Sequence, residues 1–168
     1  MIKIKRYFLE IILKNYKIVS PFYLDNISLS LDTKKDFNLN KFFYKQIGID
    51  HFWRDRLIWS DGEWKKYVSN KNFQTWVLKK NNELIGYYEA EFHVNKNEFE
   101  LINMGVLKNF RDKKYGSLLL LHSIKTAIEL KSSRIWVHTC SLDHKYALPN
   151  YKSKGFKVFK EENIDFLN

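Results

Sequence analysis

The chain of 168 residues is 45% hydrophobic, 17% aromatic and 29% charged, and it carries a formal net charge of +10 at pH 7. This composition excludes a disordered chain and suits one domain, residues 1–168, with a substantial core. Because Cys140 is the single cysteine, no disulfide can form within the chain, which favours a reducing compartment and a cytoplasmic protein.

The first predicted element is a strand over residues 2–10, where apolar and polar residues loosely alternate. The apolar run over residues 7–13 contains Glu10 and is too short to span a membrane, so we expect no membrane partner. Residues 14–37 are polar and irregular, which predicts a long excursion or an arm that covers a partner.

Two helices are predicted next along the chain. The first covers residues 38–48 and has Asn38 in position to cap its start. The second covers residues 61–68, where Ser60 followed three residues later by Glu63 forms the signature of a capping box.

The segment between these helices, residues 49–59, mixes aromatic rings with charged side chains. Among its residues are His51, Trp53 and Arg54. Aromatic and charged side chains between helices can line a ligand pocket. The same pattern also suits core aromatics with a solvated charged edge, and the residues alone leave both interpretations open.

Three strands joined by short asparagine-rich turns are predicted over residues 73–79, 83–94 and 98–107, which makes an antiparallel meander. Gly86 lies inside the second of these strands. A glycine there weakens a strand unless another backbone segment needs to approach closely.

The third of these strands opens a βαβ unit. A basic loop over residues 108–116 leads into an apolar helix over 117–131 and then into a strand over 134–139. The two strands of such a unit are parallel neighbours. Because a helix N-terminus attracts phosphate and three basic side chains surround this one, the loop predicts a site for a phosphorylated ligand.

A short helix that ends at Gly155, followed by a final strand, completes the predicted elements. Asp143 is in position to cap this helix, and Pro149 predicts a kink or a start later than His144. His138 and His144 have no third ligand at a useful spacing, so no metal is expected.

Two motifs in this region carry a resemblance to a known family. Residues 110–120 (FRDKKYGSLLL) resemble the Arg/Gln-x-x-Gly-x-Gly/Ala pyrophosphate loop of the GNAT (GCN5-related) N-acetyltransferase superfamily. Residues 147–156 (ALPNYKSKGF) resemble its Ala-x-x-x-Tyr-x-x-x-Gly-Phe signature, at a fitting distance. The chain departs from the pattern at the first glycine, which is Lys114, and keeps the second as Gly116.

The resemblance implies a fold and a reaction. The fold is an α/β (α+β) domain with a GNAT-like mixed sheet, in which an antiparallel meander precedes the parallel βαβ unit and helices flank both. The reaction is transfer of an acetyl group from acetyl-CoA, as co-substrate and without a metal, to an amine of an unidentified acceptor.

The resemblance also implies which residues meet each substrate. The coenzyme-binding residues would be Met104, Val106, Leu107, Arg111, Asp112, Lys113, Lys114, Tyr115, Gly116, Ser117 and His144. The segment between the first two helices would border the acceptor, with His51, Trp53 and Arg54 as its contacts.

Catalytic roles follow from the same resemblance. Glu100 would relay the amine proton through water, and Tyr151 would protonate the departing sulfur. Asn103 and Gly105 interrupt the alternation of their strand, which predicts a bulge that separates it from the next strand. The coenzyme arm would enter that gap, where the Val106 N–H would polarise the thioester carbonyl.

A second class of function stays open at this point. It is a non-catalytic basic module that binds nucleic acid or a protein partner on a degenerate acetyltransferase scaffold, and Lys114 at the glycine position favours it. Glu100, Tyr151 and Gly116 together argue against it. Nucleic acid is the less favoured partner, the acceptor amine belongs to a small molecule or a peptide, and a homodimer stays open.

Overall fold

Seven strands and four helices are built by the described residues, 2–21 and 24–166, of the computed structural model. The strands are β1 (Ile2–Ile12), β2 (Ile27–Leu31), β3 (Phe73–Lys80), β4 (Glu83–His93), β5 (Glu98–Val106), β6 (Arg134–Cys140) and β7 (Lys157–Phe166). The helices are α1 (Phe37–Gly48), α2 (Asp61–Val68), α3 (Tyr115–Glu129) and α4 (Ala147–Ser153).

The strands form one mixed sheet in the order β2-β3-β4-β5-β6-β1-β7. Only β5 and β6 run parallel among these neighbours, and every other described pair is antiparallel. The predicted mixed sheet, with a meander followed by a parallel βαβ unit, is therefore confirmed.

Strand β2 is the element that the sequence did not predict. It lies inside the segment interpreted as an irregular excursion and pairs with β3 from Ile27↔Lys80 to Leu31↔Trp76. Its five residues alternate Ile, Ser and Leu within a polar stretch, and this alternation is too short to stand out.

The helix starts were predicted with mixed success. The capping box of α2 is present, because the Ser60 hydroxyl accepts from the Glu63 N–H at 3.3 Å and the Glu63 carboxylate accepts from the Ser60 N–H at 2.7 Å. The prediction that Asn38 caps α1 is wrong: Asp36 caps it and accepts from the Asn38 N–H at 3.0 Å.

The last helix also differs from its predicted start. α4 begins at Ala147, which places Pro149 in the first turn, where its missing N–H is not needed. The later start is thus confirmed. Asp143 does not cap the helix and instead binds the end of β6.

Apolar side chains form a core on each face of the sheet. Under α3, Leu119 and Leu120 are buried with Phe99 among others. Under α1, Phe43 stacks on Tyr87 with ring centroids 4.6 Å apart. No helix among the described residues has the length and apolarity needed to cross a membrane.

A bulge separates β5 from β6 halfway along β5. β5 pairs with β6 only from Glu98↔Arg134 to Leu101↔Val137. On its other edge β5 pairs through Ala90↔Leu101 and then Glu89↔Asn103, so Ile102 is the additional residue. The predicted bulge is confirmed, and beyond it the two parallel strands no longer pair.

Gly86 has the close contact that its place in a strand demands. A Cβ atom on Gly86 would lie 2.5 Å from the carbonyl oxygen of Gly105 on β5. Gly105 is equally restricted, because a Cβ there would lie 2.6 Å from the Ile47 Cγ2 of α1. The two glycines let the end of β5 lie tightly between β4 and α1.

Candidate active site

A cleft of about 810 Å³ lies beside the separated ends of β5 and β6. We call two parts of its boundary the loop wall (residues 102–117) and the aromatic wall (residues 44–56). The end of β6 and helix α4 complete the cleft, and β1 and β7 border its outer part.

The backbone of β5 turns unused hydrogen-bonding groups towards the cleft. The Leu107 N–H donates to the Ile85 carbonyl of β4 at 2.8 Å. Because N–H groups alternate along a strand, the N–H groups of Val106 and Met104 point away from β4. Val106 and Met104 both line the cleft, and β6 no longer pairs at this level.

The loop before α3 reaches its shape through two residues in the left-handed region. Asp112 and Lys114 both have φ of 63°, and Lys114 is the N-cap residue of α3. This is the position where the resemblance has glycine, which adopts that conformation without strain. Lys114 therefore keeps the backbone form that the motif requires.

The first turn of α3 leaves room for a ligand. A Cβ added to Gly116 would meet no atom within 4 Å, while Tyr115 beside it is buried in the core. Gly116 and Ser117 both line the cleft. The open side of this helix start thus faces the space that a phosphate group needs.

Arg111 has one part of its guanidinium without a protein partner. Its Nη1 lies 2.8 Å from Asp50 Oδ2, and its Nε donates to the Val106 carbonyl at 3.2 Å. Its Nη2 is buried and has no hydrogen-bond partner among the described residues. The hydrogen bond from Arg111 lowers the pKa of Asp50.

Tyr151 of α4 lines the cleft although it is only 6% exposed. Its ring packs edge-on against Phe156, with centroids 5.6 Å apart. Burial raises the pKa of Tyr151 and the nearby Asp143 raises it further. The phenol therefore stays protonated at neutral pH, which is the form that can donate a proton.

Asp143 ties the aromatic wall to the end of β6. Its Oδ1 accepts from the Trp53 indole N–H at 3.3 Å, and its Oδ2 accepts from the Thr139 hydroxyl at 2.6 Å. The His144 ring next to it lies edge-on to His51, with centroids 5.9 Å apart. Residues far apart in sequence thus meet at this point of the cleft.

A buried polar network under the aromatic wall was missed by the sequence analysis. Glu89 of β4 is fully buried and pairs with Arg56 Nη1 at 2.8 Å. Its carboxylate also accepts from Asn40 at 2.8 Å and from Asn103 at 3.1 Å. Arg56 in turn donates to the Tyr67 hydroxyl at 2.8 Å.

One signal of this network was present in the sequence. Asn40 lies one residue after Leu39 and three before Phe43, which places it beside the apolar stripe of α1. A polar residue next to a buried stripe needs a partner inside the protein. The pattern could not have named Glu89 or Arg56 as that partner.

Glu100 does not line the cleft, although Ile102, two residues further along β5, does. Its Oε2 is 2.7 Å from His93 Nε2 on the neighbouring strand β4. Burial raises the pKa of Glu100, and the hydrogen bond from His93 opposes that shift. The ligand atoms of Glu91, His93 and Glu100 lie within 4.8 Å of one another, but Glu91 already accepts from Asn70 at 2.9 Å.

The structure brings most of the predicted site residues to one cleft. Those that line it are His51, Trp53, Arg54, Met104, Val106, Arg111, Asp112, Lys114, Tyr115, Gly116, Ser117, His144 and Tyr151. Three do not: Glu100, Leu107, which packs with the core under α1, and Lys113, whose Nζ lies 5.9 Å from the centre of the Phe110 ring.

The fold and the cleft agree with what sequence comparison finds. Residues 36–156 match the acetyltransferase (GNAT) family, which is more than half of the chain. The chain therefore belongs to the GNAT acetyltransferase family, whose members use acetyl-CoA. No curated protein matches the sequence.

Solved structures share the fold at low sequence identity. A GCN5-related N-acetyltransferase from Sphaerobacter thermophilus superimposes with a TM-score of 0.72 at 11% identity, over 94% of this chain but only 49% of that one. An aminoglycoside acetyltransferase from an uncultured soil metagenomic sample, in complex with sisomicin, gives 0.65 at 15% identity, over 86% of this chain and 95% of that one.

A third solved structure contains acetyl-CoA. It is a "predicted acetyltransferase with acetyl-CoA" from Clostridium acetobutylicum, with a TM-score of 0.63 and 22% identity, over 78% of this chain and 90% of that one. At these identities the likeness shows the fold alone. This chain spans about half of the Sphaerobacter protein.

Proposed function

We propose that the protein transfers an acetyl group from acetyl-CoA to the nitrogen of an amine acceptor. The observation that carries the proposal is the gap beyond the β5 bulge, where the backbone N–H groups of Met104 and Val106 point away from β4 and line the cleft. A thioester carbonyl placed there would gain a hydrogen bond as negative charge develops on its oxygen.

The loop wall fits the phosphates of the coenzyme. The open start of α3 at Gly116 offers N–H donors to an anion, and Arg111 in the cleft lining adds a positive charge. Asp112, Lys114, Tyr115 and Ser117 belong to the same part of the cleft in this proposal. The proposed coenzyme-binding set is completed by Leu107, Lys113 and His144. Of these three, only His144 lines the cleft.

The proposed reaction moves two protons. The acceptor nitrogen must lose its ammonium proton before it can attack, and Glu100 takes that proton through water. The nitrogen lone pair then forms the N–C bond while the C–S electrons leave with sulfur, which takes a proton from Tyr151. The second proton lost by the nitrogen restores Tyr151, so one proton is released for each acetyl group transferred.

The acceptor would lie against the aromatic wall. His51, Trp53 and Arg54 line the cleft there, and the Trp53 indole is held in place by Asp143. An aromatic wall suits a cationic or flat acceptor. We propose a small-molecule or peptide amine, in a single-domain cytoplasmic enzyme.

Thiol release from acetyl-CoA tests the proposal directly. The protein would be incubated with acetyl-CoA and one amine at a time. The amines are sisomicin, spermidine, lysine and a tripeptide with a free N-terminus. We expect at least one amine to accelerate thiol release and to yield a product that resists hydroxylamine, as an amide does and an ester does not. Thiol release that no amine accelerates would contradict the proposal.

A further inference from the structure

The hydrogen bond between His93 and Glu100 connects a partly buried carboxyl group to a more exposed imidazole. Glu100 has a side-chain exposure of 18%, whereas that of His93 is 32%. The two side chains come from neighbouring strands and meet at 2.7 Å, on the sheet face that carries α1 and α2. His93 also lies flat over Trp136, with ring centroids 6.5 Å apart.

The proposed acetyl transfer needs such a connection. Each turnover releases one proton, and a carboxyl group that has taken it from the amine must lose it before the next cycle. An imidazole has an ordinary pKa of about 6.5 and a carboxyl group one of about 4.3. A histidine that contacts a carboxyl group can therefore pass a proton from that group to water.

We propose that His93 is the positioning residue and proton exit of Glu100. In a ring whose proton is on Nδ1, Nε2 accepts a hydrogen bond from the protonated Glu100 carboxyl group and takes its proton. The resulting imidazolium donates from Nε2 to the Glu100 carboxylate and loses its Nδ1 proton to water, and exchange with water then returns the remaining proton to Nδ1. No bond other than N–H and O–H changes in this step. The proposal rests on the proposed function, because it concerns the base of the same reaction.

The charged groups around Glu100 leave His93 as its direct partner. Glu91 of β4 disfavours the carboxylate, and Arg56 of the aromatic wall favours it from a greater distance while binding Glu89 directly. Burial is the main cause that raises the pKa of Tyr67 of α2, and the charge of Glu100 adds to that shift. Among these groups, His93 alone makes a direct hydrogen bond to Glu100, and an imidazole can both take up and release a proton.

Three variants separate proton transfer from simple packing. His93→Gln can keep a hydrogen bond to Glu100 but cannot carry a proton. His93→Phe removes the hydrogen bond and keeps a flat ring over Trp136. His93→Ala leaves a gap that imidazole supplied in the buffer can fill. The control is His122→Asn, because His122 forms a hydrogen bond with Tyr88 on the opposite face of the sheet.

Turnover is measured as thiol release with acetyl-CoA and the best amine of the panel. We expect His93→Gln and His93→Phe to lose about tenfold in kcat at neutral pH, with unchanged coenzyme binding. Without the hydrogen bond that lowers its pKa, Glu100 takes up its proton at a higher pH. The acid limb of the profile should therefore move to higher pH in His93→Phe, and less in His93→Gln.

Imidazole should restore turnover to His93→Ala in proportion to its concentration and should not affect His122→Asn. If the His93 variants keep activity with the wild-type pH profile of kcat and without acceleration by imidazole, the proposed function would stay intact and the proton exit would be overturned. Loss of wild-type turnover with EDTA, restored by zinc, would overturn it in favour of a metal at Glu91, His93 and Glu100. Thiol release that no amine accelerates with wild-type protein would instead remove the proposed function, and the proton exit with it.

Discussion

The loop wall of the cleft presents mainly backbone groups, whereas the aromatic wall presents side chains fixed by a buried ion pair. The loop wall depends on a bulge at Ile102, on close contacts at two glycines and on left-handed residues before α3. The aromatic wall depends on Arg56, which is held by Glu89 and surrounded by aromatic rings. Backbone groups, as in the loop wall, suit a ligand that all members of a family share. Side chains, as in the aromatic wall, can differ between members that have different acceptors.

This contrast predicts that loss of the buried ion pair of Arg56 destabilises the protein more than loss of an exposed ion pair does. Arg56→Met leaves Glu89 charged and unpaired in a fully buried position, so the free energy of unfolding should fall by about 3–5 kcal/mol. Urea unfolding measures it. The matched control is Lys41→Met, which breaks a pair with the exposed Asp61 and should cost less than about 1 kcal/mol. Equal losses in both variants would contradict the contrast.

Tyr151→Phe separates chemistry from binding. The variant keeps the ring against Phe156 and removes the hydroxyl, so kcat should fall by about 100-fold while coenzyme affinity stays unchanged. Because the pKa of Tyr151 is raised, no loss of wild-type activity up to pH 9 should come from this phenol. Steady-state kinetics and calorimetry with CoA check both points, and wild-type turnover in the variant would exclude Tyr151 as the acid.

Gly116→Glu tests whether the loop wall holds phosphate. The added side chain enters open space, and a carboxylate near a helix N-terminus stabilises by about 0.3–1 kcal/mol, so the fold should be intact. It should also repel the pyrophosphate and weaken CoA binding by at least about tenfold, or 1.4 kcal/mol. Gly116→Ala is the control and should bind normally. Unchanged affinity in the glutamate variant would place the phosphates elsewhere.

Lys114→Gly should have the smallest effect. Relief of a left-handed lysine is worth about 1–2 kcal/mol and the added freedom of glycine offsets about 0.5–1 kcal/mol, so the free energy of unfolding should rise by up to about 1.5 kcal/mol. Lys113→Gly, whose position lies outside the left-handed region, should lower it instead. Thermal melts compare the two, and a loss in Lys114→Gly would show that the loop depends on the lysine side chain.

The predictability of the two walls follows the same contrast. Local patterns predicted the loop wall, because the bulge near Asn103, the close contact at Gly86 and the loop before α3 each depend on a few neighbouring residues. Helix α2 was likewise predicted with its bounds, from the capping box. The capping box and the bulge are motifs of a few residues, and the local sequence was sufficient for both of them.

The sequence named His51, Trp53 and Arg54 of the aromatic wall, but it could not predict the contacts that fix this wall, because those contacts join distant parts of the chain. Glu89 and Arg56 lie 33 residues apart, and Trp53 and Asp143 lie 90 residues apart. Propensity and periodicity carry no information about such pairs. Asp143 was predicted to cap a helix, whereas in the structure it accepts from Thr139 at the end of the preceding β6 and from the distant Trp53.

Thermal melting with acetyl-CoA, CoA and ATP tests the central claim, that this cleft binds the coenzyme through its loop wall. A ligand at 100 times its dissociation constant adds about 2.7 kcal/mol, which corresponds to roughly 5–11 °C for a chain of this size. We predict that acetyl-CoA and CoA each raise the melting temperature by this amount and that ATP does not. In Gly116→Glu, neither coenzyme form should raise it. No shift with either coenzyme form would contradict the account and favour a non-catalytic binding module.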